Sequence, residues 1–210
     1  MRLRLNVAPV PRRILVTGFE PFGGDAVNPS DLIARDLDGR RVGGYRVVGR
    51  TLPVDAHALP KALAAALGDA EEPDAILGTG LAAGRTALAL ERTAVNLLDL
   101  EQPDNAGTLL SGAPVRENGA AAYFTNLPLA RILATWHQAG IPGYVSDSAG
   151  TYICNQLFYE VLALNERSIP IGFVHLPCTP ELAIARGPAK TPSLPLELQR
   201  RGIETLIEAL

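Results

Sequence analysis

Two short runs constrain this chain more than any other feature. Arg13–Gly18 (RILVTG) and Asp74–Gly80 (DAILGTG) are almost continuously apolar over strand length and end in glycine. Continuous apolarity, as opposed to alternation, marks a strand covered on both faces, and such strands belong to parallel sheets flanked by helices. Tyr45–Leu52, Gly143–Ser146 and Ile171–Leu176 read as further strands. Helical patterns lie between them: Asp31–Leu37 with Ser30 as candidate cap, Pro60–Leu67, Leu129–Gln138, Thr151–Glu166 with an apolar stripe, and Leu196–Leu210. Thr86–Leu97 reads as extended, Glu101–Asn118 as an excursion off the sheet, and Arg186–Leu194, with Pro188, as a loop. Such alternation predicts an α/β fold, a mostly parallel open sheet with helices on both faces. With 210 residues, no repeat and no linker, residues 1–210 are expected to form one domain.

The charge balance narrows the partners. The net charge is −3 and the pI about 5.6, and the arginines are scattered, so no nucleic-acid partner is expected. At the N-terminus Asn6, Pro9, Pro11 and Arg12 interrupt any leader-like apolar run, and no run approaches the length of a membrane span, so no membrane partner is expected either. Cys154 and Cys178 are the only cysteines, which is no disulfide framework and suits a reducing cytoplasm.

Chemistry points first to Cys154, which comes after a strand and a glycine and opens a helix (Ser148-Ala149-Gly150-Thr151-Tyr152-Ile153-Cys154-Asn155). Sites in open α/β sheets collect at the carboxyl ends of strands. A helix N-terminus favours a thiolate, and its backbone N–H groups can receive an oxyanion. A small core hydrophobe fits this position equally well. A thiol nucleophile needs a base. His57 sits beside a helix start and His137 near a helix C-terminus, whereas His175 ends an apolar strand on the expected Cys154 edge and is the best candidate. Glu91 interrupts an apolar stretch and could hold the imidazole in one tautomer; a solvated strand edge or an ion pair with Arg92 is the alternative.

Three ordered motifs then carry a family resemblance over nearly the whole chain. They are Val16-Thr17-Gly18-Phe19-Glu20-Pro21-Phe22-Gly23-Gly24 with Asn28-Pro29-Ser30; Gly84-Arg85 leading to Glu91-Arg92-Thr93-Ala94-Val95-Asn96 and Pro103-Asp104-Asn105; and the Cys154 segment with Gly172-Phe173-Val174-His175-Leu176-Pro177. Together they resemble the pyrrolidone carboxyl peptidase (pyroglutamyl-peptidase I) family. The resemblance implies a three-layer α/β/α sandwich, usually a homotetramer, acting on peptides with N-terminal pyroglutamate without cofactor or metal. It implies a Cys154/His175/Glu91 triad working through a thioester. It also implies that Phe19 and Phe22 clasp the lactam ring while Asn28, Tyr152 and Ile153 complete the pocket. A flat neutral lactam suits aromatic walls with few polar contacts.

Two positions depart from the pattern. Leu81 stands beside the ring pocket where the family commonly has Gln, and Glu101 near the reacting centre where it commonly has Arg. A carboxylate at Glu101 is expected to disfavour the Cys154 thiolate. These departures leave a weakly active or non-catalytic lactam- or peptide-binding member of the same fold as the alternative. Two further readings are weaker. Gly78-Thr79-Gly80-Leu81-Ala82-Ala83-Gly84 spaces its glycines as some dinucleotide loops do, but the residues after Gly84 read as extended and not helical. Cys154, His175 and Cys178 have ligand-like spacing but lack a convincing fourth metal ligand.

Overall fold

Alternate residues of the apolar runs face opposite ways. Ile14, Val16, Leu77, Val174 and Leu176 pack into one buried cluster, and Leu15, Ile76, Ile171 and Phe173 into another. The computed structural model describes residues 12–187 and 189–210, so the N-terminal reading at Asn6, Pro9 and Pro11, and Pro188 of the expected loop, lie outside the described residues.

The strands are β1 (Arg12–Phe19), β2 (Arg41–Val42), β3 (Tyr45–Leu52), β4 (Ala75–Leu81), β5 (Leu88–Glu91), β6 (Thr93–Val95), β7 (Ala122–Phe124), β8 (Gly143–Ser146) and β9 (Ile171–Leu176). The helices are α1 (Pro29–Leu37), α2 (Leu59–Asp69), α3 (Leu129–Gln138), α4 (Ile153–Ala163), α5 (Pro180–Arg186) and α6 (Leu196–Glu208). Seven strands form one sheet in the order β2-β3-β1-β4-β9-β5-β8, and β6 pairs with β7 in a small second sheet. Residues of α1, α3 and α6 join the first cluster, and residues of α2 and α4 join the second. The result is a three-layer α/β/α sandwich.

The main sheet is mostly parallel, as expected, although β5 runs antiparallel to β9, with β8 parallel to β5. Thr86–Leu97 holds two strands in place of one continuous element, because the chain leaves the main sheet after Glu91 and β6 pairs elsewhere. Two local expectations are revised. Asn28, not Ser30, caps α1. Pro29 lacks an N–H and starts the helix early, the Asn28 Oδ1 accepts from the Ser30 N–H at 3.1 Å, and the Ser30 hydroxyl accepts instead from the Phe19 N–H at 2.9 Å. The loop expected from Arg186 begins only after α5, whose cap Thr179 accepts from the Leu182 N–H.

The excursion after Glu101 is tied down by Asp104, which accepts from the backbone N–H groups of Ala56 (2.9 Å), Ala106 (3.0 Å) and Thr108 (2.8 Å). These bonds hold its carboxyl below the usual range despite the opposing effect of burial. Asn105 reaches back to Glu20 and Pro21. The excursion is thereby docked against the loop that succeeds β1.

Candidate active site

Strand register builds the floor of the site. Gly78 and Gly80 of β4 pair with Phe173 and His175 of β9, and Ala89 of β5 pairs with His175 from the other side. Partners in register point to the same face. Small residues therefore flank the two large rings of β9, which meet edge to face at 4.9 Å. Into the space above Gly80 comes the thiol of Cys154, in the first turn of α4. A β-carbon on Gly80 would lie 2.6 Å from that sulfur and 3.0 Å from the Phe173 ring.

Glu91 approaches from behind. Because β5 is antiparallel to β9, Glu91 lies two residues beyond Ala89 toward the sheet interior and reaches His175 diagonally. Its Oε1 lies 2.7 Å from the His175 Nδ1 and 2.9 Å from an Arg85 guanidinium nitrogen, while Oε2, fully buried, has no hydrogen-bond partner among the described residues. Arg85 also donates to the Tyr144 hydroxyl at 3.1 Å. Arg92, the expected alternative partner of Glu91, pairs with Asp147 instead. An oxygen already accepting from Arg85 is an acceptor toward the ring too, which puts the imidazole proton on Nδ1 and leaves Nε2 with a lone pair.

A cavity of about 430 Å³ receives Cys154 and His175 together with Phe19, Phe22, Asn28, Leu81, Tyr152 and Ile153. Phe22 and Tyr152 stand with ring centroids 6.0 Å apart. Phe19 is 2% exposed and belongs to the core as well as to the cavity wall. Asn28 is held by the cap and by its Nδ2 donating to the Glu20 carbonyl at 3.0 Å, so one amide hydrogen remains. His57 and His137 are exposed and lie outside this lining. Cys178 is fully buried elsewhere, and among the described residues no group of three or more His, Cys, Asp or Glu could hold a metal.

Both reacting groups are neutral in the free site. Burial pushes the Cys154 thiol up to about 12, with Glu91 adding to the rise and Arg85 opposing it. Burial likewise pushes His175 below its ordinary value, against the pull of Glu91. The expected helix-terminus effect on the thiol is outweighed by desolvation, and the carboxylate that acts on the sulfur is Glu91, not Glu101. Among the described residues no side chain caps α4 at Tyr152, and no acidic residue occupies its first turn, so its first N–H groups remain available.

Comparison with known proteins places the whole described chain in one family. The family model for pyroglutamyl peptidase matches residues 12–210. The chain belongs to the pyroglutamyl peptidase family. It is 39% identical over 203 residues to the pyrrolidone-carboxylate peptidase of Pyrococcus furiosus, covering 93% of this chain and 96% of that protein. To the Deinococcus radiodurans pyrrolidone-carboxylate peptidase it is 44% identical over 187 residues, covering 87% and 85%. The solved structure of a mutant P. furiosus pyrrolidone carboxyl peptidase superposes with a TM-score of 0.89 at 38% identity, covering 94% of this chain and 97% of that one.

Within this pyroglutamyl peptidase family chain, three residues escaped sequence reasoning. Gly80 looked like a strand terminus, and nothing local shows what lies above it. Arg85 sat in a motif without a role, because its partner Glu91 is placed by the sheet. Asn155 is fully buried beside Cys154 and exchanges hydrogen bonds with the Val95 backbone, anchoring the start of α4 on β6. A polar residue inside an apolar helical stripe was the available signal for it.

Proposed function

We propose that this protein is a cysteine peptidase that removes N-terminal pyroglutamate from peptides, with Cys154 as nucleophile, His175 as base and Glu91 orienting the base. The observation that carries this is the Arg85–Glu91–His175 chain of contacts ending in the cavity that also holds the thiol. Phe19, Phe22 and Tyr152 supply aromatic walls for a flat lactam, and the spare Asn28 amide hydrogen supplies a polar contact. Leu81 adds an apolar wall.

Substrate binding brings the pyroglutamyl carbonyl to the sulfur. His175 Nε2 takes the thiol proton as the S–C bond forms, so no preformed thiolate is needed. The Cys154 N–H, at the uncapped helix start, faces the developing oxyanion. The imidazolium then protonates the leaving amine and the C–N bond breaks, giving a thioester. Water, deprotonated by His175, hydrolyses it and regenerates the thiol. The chain works as one domain, in a reducing cytoplasm where Cys154 stays reduced. It self-associates, toward the family's tetramer, through exposed apolar side chains such as Leu109 and Phe124.

The test is hydrolysis of pyroglutamyl-7-amido-4-methylcoumarin by wild type and by Cys154→Ala. Turnover by the wild type alone supports the peptidase reading. Tight lactam binding without turnover in either form would favour a binding protein.

A further inference from the structure

A second cavity, about 470 Å³, opens off the first. The two share Phe22, Leu81, Glu101 and Gln102, and the second adds Asp25, Ala83 and Arg186. Its position is set by the sheet. Leu81 comes directly after Gly80, which underlies the thiol, and pairs with Leu176, the neighbour of His175. The second cavity therefore adjoins the first one residue beyond the glycine under the thiol, so a peptide whose pyroglutamyl group fills the first cavity has this space beside it.

Its charges do not cancel. Arg186 is held by Asp25, with its Nε 2.8 Å and 3.1 Å from the two carboxylate oxygens, so that cation is already matched. Among the described residues Glu101 takes part in no salt bridge or side-chain hydrogen bond, and it is exposed to the cavity. The other carboxylate lining the first cavity, Asp99, accepts from the Ser111 hydroxyl at 3.0 Å and does not line the second. Phe22, Leu81 and Ala83 offer an apolar strip beside the unmatched carboxylate. An aliphatic stem ending in a cation matches that pairing, since long basic side chains lay their methylenes on apolar surface and keep the charge in water.

We propose that this second cavity holds the side chain of the residue after pyroglutamate, and that Glu101 makes it select lysine or arginine. The proposal rests on the peptidase reading for the direction in which the peptide leaves. An exposed carboxylate–ammonium contact corresponds to a preference of about two- to fivefold, falling as salt is added.

The experiment compares kcat/KM for pyroglutamyl-lysyl, pyroglutamyl-alanyl and pyroglutamyl-glutamyl peptide amides with wild type, Glu101→Gln and Glu101→Arg, at low and high salt. Wild type should rank lysine above alanine above glutamate. Glu101→Gln should compress the ratios toward one, and Glu101→Arg should reverse them. The same peptides are titrated calorimetrically against Cys154→Ala, which reads the subsite without turnover. Unchanged ratios in all three forms, with the alanyl peptide cleaved, overturn the subsite and leave the peptidase reading standing. No cleavage of any peptide, with the lysine preference intact in binding, overturns the peptidase reading and keeps the subsite.

Discussion

The sulfur of Cys154 rests over the α-carbon of Gly80, so close that a β-carbon there would lie 2.6 Å from it. The glycine is required by the nucleophile above it and not by its own backbone, which is ordinary strand. Gly80→Ala is expected to push the thiol away from the imidazole or tilt α4. A displacement near 1 Å can cost on the order of a hundredfold in rate. Steady-state hydrolysis and a thermal melt on the same preparation separate the two effects. A variant that keeps wild-type kcat would show that the sulfur has room the geometry denies it.

Arg85 and Glu91 act on the reacting pair with opposite sign, which gives paired pH predictions. Glu91 raises both the thiol and the imidazole, and Arg85 lowers both. Glu91→Gln should move the acid limb of kcat/KM to lower pH and speed alkylation of Cys154 at neutral pH. It should nevertheless lower kcat by roughly 10²–10⁴, because the imidazole loses its tautomeric anchor. Arg85→Gln should move the acid limb upward and slow alkylation. Iodoacetamide rates against pH, alongside kcat/KM profiles, check both variants. Shifts in the same direction would show that neither charge reaches the imidazole.

Stability should fall in acid in a defined order. His175 is held below its ordinary 6.5, so its contribution is complete above that value and disappears as pH falls through the lowered one. Asp104 is held below 3.8 and adds a second loss at lower pH, as its three backbone bonds are protonated away. Cys154, pushed up to about 12 from 9.0, has the reverse sign, and its contribution is lost as pH rises above 9.0. Thermal unfolding of wild type and His175→Gln across this range is the check. The variant should lack the first acid decline and keep the second; an identical pair of curves would mean that His175 is not buried neutral.

Much of the molecule was legible from residues alone. Continuous apolar runs at β1 and β4 announce strands covered on both faces, since one chain segment carries side chains for both. The Gly150–Cys154 junction announces a helix start, and a histidine ending an apolar strand announces a buried polar group in need of a partner. These are local properties, written in periodicities of two and 3.6. Asn28 came to the pocket only through the family resemblance; it lines the cavity, but most of its hydrogen-bonding capacity caps α1 and holds Glu20.

Pairings across the sheet are not local. The amino-acid sequence by itself determined the α/β class, the position of each main strand and helix, and the reactive side chains available. Only the tertiary structure decided that β5 runs antiparallel to β9, that Glu91 therefore meets His175 from behind, and that Arg85 meets Glu91. It alone decided that Gly80 lies beneath Cys154 and that burial overrides the helix terminus in setting the thiol's acidity. Strand direction and register depend on which segments far apart in the chain share hydrogen bonds, and desolvation depends on everything packed around a group. Neither quantity belongs to any single stretch of sequence.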